Sequence, residues 1–155
     1  ALINGYNMSG RLFYHYKEKV KETMPEVDHA KMIEGIAQDE VKKDPPNKSF
    51  ITRTGKGNSL FRDSVSGRYF LSDMQHVRKA QNDINETIFQ VNDASLNEFY
   101  TALGLDHIAM GDVVGWNTEN PLRVYFNTAL TDDENACVVV MYERLPFNKY
   151  NENYF

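Results

Sequence analysis

Leu122-Arg-Val-Tyr-Phe-Asn127 and Cys137-Val-Val-Val-Met-Tyr-Glu143, with the polar Thr131-Asp-Asp-Glu-Asn135 between them, decide the fold. In the first run Leu122, Val124 and Phe126 alternate with Arg123, Tyr125 and Asn127, the period of a strand with one buried face. The second is apolar almost throughout, as in a strand covered on both faces. Two such runs joined by a polar turn predict an antiparallel hairpin. The periodic segments upstream are helical. Helices first and strands last indicate an α+β domain, with N-terminal helices and a long central helix packed on a small C-terminal antiparallel hairpin or sheet.

The first helix is predicted from Tyr6, Ser9, Phe13, Tyr16 and Val20, which share one face. Pro25 opens a second over Glu26 to Lys43, with Ile33, Ile36, Ala37 and Val41 among its apolar positions. The strongest stripe is Phe70, Met74, Val77, Gln81, Ile84 and Ile88, in a stretch from Tyr69 to Gln90 free of Gly and Pro, and predicts the central helix. Ser95-Leu-Asn-Glu98 is a capping box, Leu96, Phe99 and Leu103 form the apolar face behind it, and Gly104 sits where a helix ends. Residues 106–116 are read as holding one further helical turn. The tail from Leu145 to Phe155, with Phe147, Tyr150, Tyr154 and Phe155, is too aromatic to stay in water and is expected to pack on the domain or on a second copy.

Composition excludes several classes. Cys137 is the single cysteine, so no disulfide scaffold is possible. Nine Phe and nine Tyr exclude a disordered chain, and no apolar run reaches the roughly 20 residues of a membrane helix. The start carries no secretory leader. With Ala1 where an initiator Met would stand, residues 1–155 read as a single domain cut from a longer chain. The net charge of -5 argues against bulk nucleic-acid binding but hides a reversal. Residues 44–69, rich in Gly, Pro, Ser and Asn, read as a loop-rich connector. Between Lys42 and Arg68 stand seven bases (Lys42, Lys43, Lys48, Arg53, Lys56, Arg62, Arg68) against Asp44 and Asp63, leaving -10 for the rest of the chain.

No catalytic constellation emerges. His15, His29, His76 and His107 are scattered, so no metal site and no cofactor is expected. Cys137 opens an apolar run, which suits a buried small hydrophobe better than a nucleophile. Thr54-Gly-Lys-Gly-Asn-Ser59 lacks the spacing of a phosphate-binding P-loop. If the domain has a pocket, His107, Asp112 and Trp116 mark it, where a loop and an aromatic converge ahead of the first strand of the hairpin.

The segments Leu96-Asn-Glu98, Tyr100, Leu103-Gly104 and then Gly111, Gly115-Trp116 resemble the C-terminal soluble region of an uncharacterised family of phage and prophage proteins from gut and Gram-positive bacteria. The resemblance implies a membrane-anchored protein with an apolar region ahead of a soluble part like this one. It implies a setting on the intracellular side of a bacterial host membrane, or in the phage particle, and it carries no assigned activity. The expected function is therefore non-enzymatic binding through protein contacts or self-association. The seven bases would rest against an anionic membrane surface, at about 1 kcal/mol each. Two alternatives stand beside it. One is single-stranded nucleic acid held by the same connector, with Phe50, Phe61 and Tyr69 offered for stacking. The other is an enzyme of unfamiliar type built around His107, Asp112 and Trp116.

Overall fold

The strand predicted to be covered on both faces divides two cores. In the computed structural model, which describes residues 26–152, β7 (Ala136–Tyr142) sends Cys137, Val139 and Met141 to one side and Val140 and Tyr142 to the other. The first set meets Ile33, Ala37 and Val41, the buried stripe of α1 (Glu26–Lys43). The second joins a larger core under α2 (Met74–Val91) and α3 (Leu96–Leu103). Each fully buried Val, Leu, Ile or Phe contributes about 1.5–3 kcal/mol, and β7 buries side chains in both layers.

The hairpin forms as the alternation requires. β6 (Val124–Leu130) pairs antiparallel with β7 from Val124↔Tyr142 to Leu130↔Ala136. Its turn closes through Thr131 N–H to Asn135 O at 2.9 Å, with Glu134 in the left-handed region at φ 62°. The sheet, however, is larger than a C-terminal hairpin. The stretch read as a connector supplies β1 (Thr52–Arg53), β2 (Ser59–Asp63) and, running past its end, β3 (Tyr69–Ser72). The resulting mixed sheet has the order β1-β3-β2-β7-β6, with β2 parallel to β7. The α+β class holds, but strands from the middle of the chain stand in its central sheet.

A second difference concerns the central helix. Phe70 belongs to β3, fully buried and opposite Phe61 of β2, and the helix begins only after Asp73. Asp73 caps it by accepting from His76 N at 2.7 Å, and Asn92 ends it at φ 81°. Of the remaining stripe, Val77, Ile84 and Ile88 are buried and Met74 is half-buried, with Ala80 buried beside them. The polar position within it, Gln81, accepts from Val124 N at 2.7 Å.

The second, three-stranded sheet has the order β4-β5-β8. β4 (Asp93–Ser95) runs into α3 through the predicted capping box: Ser95 Oγ accepts from Glu98 N at 3.1 Å and Glu98 Oε2 accepts from Ser95 N at 2.6 Å. Gly104 closes α3 at φ 90°. No helical turn follows. Residues 109–113 are successive tight turns, and β5 (Val114–Asn117) holds Trp116 in a strand rather than a loop. The tail packs on its own domain. β8 (Phe147–Asn148) pairs with β5, and the buried Tyr150 donates to Asp112 O at 2.9 Å. The predicted first helix, and Tyr154 and Phe155, lie outside the described residues.

Candidate functional site

The basic segment divides into bases the fold consumes and bases it leaves in water. Arg62, 6% exposed on β2, bridges Glu40 at 2.9 Å and Asp44 at 3.1 Å and lies over the Tyr69 ring. Burial raises the Glu40 carboxyl above its usual range, although Arg62 pulls it down. Burial alone would lower Arg62, but Glu40 above all holds it above its usual value. For two groups already withdrawn from water, pairing is the less costly state. Arg68 lies over the Tyr100 ring at 4.6 Å and donates to Ser66 Oγ at 3.1 Å and to Asp106 O at 2.9 Å. Both arginines brace the interior and leave the candidate surface.

Five bases remain. Lys42 and Lys43 end α1, Lys48 sits in a single 3-10 turn, Arg53 is on β1, and Lys56 follows it. All five are exposed, and none has an ion-pair partner among the described residues. Phe50, 78% exposed, stands among them. They follow the chain from the end of α1 along β1, one edge of the larger sheet. Phe61 and Tyr69 are in the core, so two of the three rings offered for base stacking are withdrawn.

The second candidate, His107, Asp112 and Trp116, is also divided. Trp116 is fully buried, stacked on Tyr142 at 6.0 Å and edge-on to Phe99, and donates from Nε1 to Arg144 O at 3.0 Å. It is a core residue. His107 and Asp112 do share an open groove of about 350 Å³ with Asp83, Thr87, Glu98 and Thr101. There His107 Nε2 meets Thr101 Oγ1 at 2.7 Å in solvent, Asp112 accepts from Asn97 Nδ2 at 3.1 Å, and Glu98 is engaged in the capping box. These contacts hold the 106–112 loop to α3. Among the described residues no group of His, Cys, Asp or Glu is placed to hold a metal ion.

One polar centre of the interior has no signal in the sequence. Asp63, on β2 and fully buried, accepts from Tyr100 Oη and Tyr142 Oη at 2.6 Å each, and from Ser66 Oγ at 2.7 Å and Ser66 N at 3.0 Å. Burial, and after it the charge of Asp63, holds both tyrosine hydroxyls well above the ordinary phenol value. Burial likewise pushes Tyr69 and the Cys137 thiol each up to about 12. An unfolded chain releases tyrosine protons near pH 10 and the thiol proton near pH 8.5, whereas the fold retains them, so this stability is complete below those values and is lost as pH rises towards about 12. Each group contributes a slope of about 1.4 kcal/mol per pH unit in that window. Urea melts at pH 8 and pH 11 are expected to show a much weaker fold at the higher pH, with part of the tyrosinate absorbance appearing only on unfolding. Native Cys137 is expected to resist a thiol reagent until the chain unfolds. Rapid labelling of folded protein would contradict its placement.

The residues behind the family resemblance converge on this interior. Leu96, Tyr100 and Leu103 are buried, Glu98 and Gly104 cap the two ends of α3, Gly111 lies against the Asn97 amide, and Gly115 lies against the Ala94 carbonyl. Their pattern records how α3 and the second sheet fit together, and its chemistry is that of packing. An α+β domain with a hydrogen-bonded polar interior and one basic, aromatic-tipped edge is thus defined. The chain belongs to a family of unknown function (DUF6353), which matches residues 1–151. No curated protein and no solved structure matches it.

Proposed function

We propose that the domain works by binding rather than by catalysis, and that its basic edge rests on an anionic membrane surface. The observation that carries the proposal is the placement of Lys42, Lys43, Lys48, Arg53 and Lys56 in solvent around the exposed Phe50. Bases near an anionic leaflet contribute about 1 kcal/mol each, so five supply about 5 kcal/mol, roughly four thousandfold in partitioning. An aromatic ring among them suits the headgroup boundary. No helix among the described residues is long and apolar enough to cross a membrane. A bacterial host membrane is the setting that the resemblance to phage and prophage proteins implies, and the proposal adopts it, with protein contacts elsewhere on the domain.

Co-sedimentation with phosphatidylglycerol and phosphatidylcholine vesicles tests this. Binding to the anionic vesicles alone is expected at low salt, with loss near 0.5 M salt, where screening shortens electrostatic reach to a few Å. Lys48→Glu/Arg53→Glu/Lys56→Glu should abolish it. Equal binding to both lipids overturns the proposal. So does retention of single-stranded DNA by the same edge in a gel shift without lipid binding, which would favour the nucleic-acid alternative.

A further inference from the structure

The opposite edge of the larger sheet poses a different problem. β6 is seven residues long and carries no charged residue, Pro or Gly. Exposed edge strands of that kind are templates for pairing with another chain and are usually blunted by charge, proline or shortness. β1, at the other edge, has two residues, one of them Arg53.

Three side-chain amides occupy β6 instead. The bonds Glu143 N to Arg123 O and Thr131 N to Asn135 O, both 2.9 Å, set the phase of the ladder. Tyr125, Asn127 and Ala129 therefore turn their backbone groups to β7, and Leu122, Val124, Phe126, Thr128 and Leu130 turn theirs outward. From α2, Asn85 donates to Leu122 O at 2.9 Å and accepts from Leu122 N at 3.0 Å, while Gln81 accepts from Val124 N at 2.7 Å. From α1, on the opposite face, Gln38 donates to Leu130 O and accepts from Leu130 N, both at 2.8 Å. Each two-point contact reproduces what a neighbouring strand would offer. Among the described residues, the outward groups of Phe126 and Thr128 alone have both donor and acceptor open.

We propose that β6 is a latent self-pairing edge, kept shut against a second copy of the chain by Gln38, Gln81 and Asn85. The occupant follows from self-complementarity. A two-fold axis at Asn127 sets Phe126 opposite Thr128 and Val124 opposite Leu130, which matches uncharged residues and covers Leu130, now 52% exposed. With the amides in place only the Phe126–Thr128 pairs can form. Opening them adds the Val124–Leu130 pairs and doubles the ladder.

Sedimentation velocity on the full chain carrying Gln38→Ala/Gln81→Ala is the test. The variant is expected to self-associate at least tenfold more tightly than the unaltered chain, and Thr128→Lys in the same background should reverse this by placing a charge in the open window. A folded double variant that sediments like the unaltered chain overturns the proposal. Association that survives Thr128→Lys also overturns it, because the contact then lies elsewhere. Should the double variant fail to fold, Gln38→Ala alone, which removes two surface bonds, is held to the same outcomes.

Discussion

Asp63→Ala is expected to remove about 3 kcal/mol or more of folding stability, a large share of the roughly 5–15 kcal/mol that holds a domain of this size together. The substitution deletes one acceptor group and strands four donors: two tyrosine hydroxyls, the Ser66 hydroxyl and the Ser66 N–H. Each buried donor left without a partner costs about 1–3 kcal/mol. The neighbourhood offers little relief, because Tyr142 is fixed between Trp116 and Phe99 by ring contacts at 6.0 and 6.1 Å. Removing a donor instead should be mild: Tyr142→Phe gives up one bond but leaves Asp63 with three, for about 1 kcal/mol. Asp63→Asn should fall between the other two, since an amide oxygen in place of Oδ2 keeps three of the bonds and the amide nitrogen can donate to the Tyr142 hydroxyl. Equilibrium urea denaturation of the three variants checks the ranking. An Asp63→Ala variant within 1 kcal/mol of the unaltered chain would show that the carboxylate does not organise this core.

The contrast between Asp63 and the hairpin shows what the sequence could convey. The hairpin, the capping box at Ser95 and the C-terminal glycine at Gly104 are local devices whose partners lie within a few residues, so their pattern is complete in the sequence. β2 is not local. Ser59–Asp63 pairs in parallel with a strand nearly eighty residues on, and apart from Ser66 the hydrogen-bond partners of its two charged side chains are the distant Glu40, Asp44, Tyr100 and Tyr142. Nothing adjacent distinguishes a buried Arg-Asp pair from a solvated one, and the Gly and Ser around it look like loop chemistry. The misplaced start of α2 has a similar cause. Phe70 falls in register with the helical stripe while its burial in the sheet comes from pairing with Phe61. Of the seven bases named as a contact surface, five are exposed, which is the default for Lys and Arg, and the sequence does not mark the two that are buried or engaged. The burial of Trp116 depended on Phe99 and Tyr142, which no spacing brings together.

Gly115→Ala is expected to be severe for the addition of a single methyl, at about 3 kcal/mol or more, the upper end of overpacking costs. A Cβ on Gly115 would overlap the Ala94 carbonyl and stand 2.8 Å from both Ser95 Cα and Tyr150 Cδ2. Two of these obstacles are the backbone of the strand paired with it at Ser95↔Gly115, so the methyl can fit only by parting β4 from β5. No side-chain truncation should rescue it. Gly111 supplies the controlled comparison. The three atoms that a Cβ there would meet first all belong to the side-chain amide of Asn97. That amide accepts from Ile108 N at 2.9 Å and donates to Ile108 O at 3.2 Å and to Asp112 at 3.1 Å, so it cannot swing aside without freeing the 106–112 loop. Gly111→Ala and Asn97→Ala should each destabilise, by about 2 kcal/mol, but the double variant should lose clearly less than their sum because the second change removes the overlap created by the first. Thermal or urea melts of the cycle decide the matter. Strict additivity at Gly111 and Asn97, or rescue of Gly115→Ala by Tyr150→Ala, would mean that the two glycines are not held as tightly as their surroundings indicate.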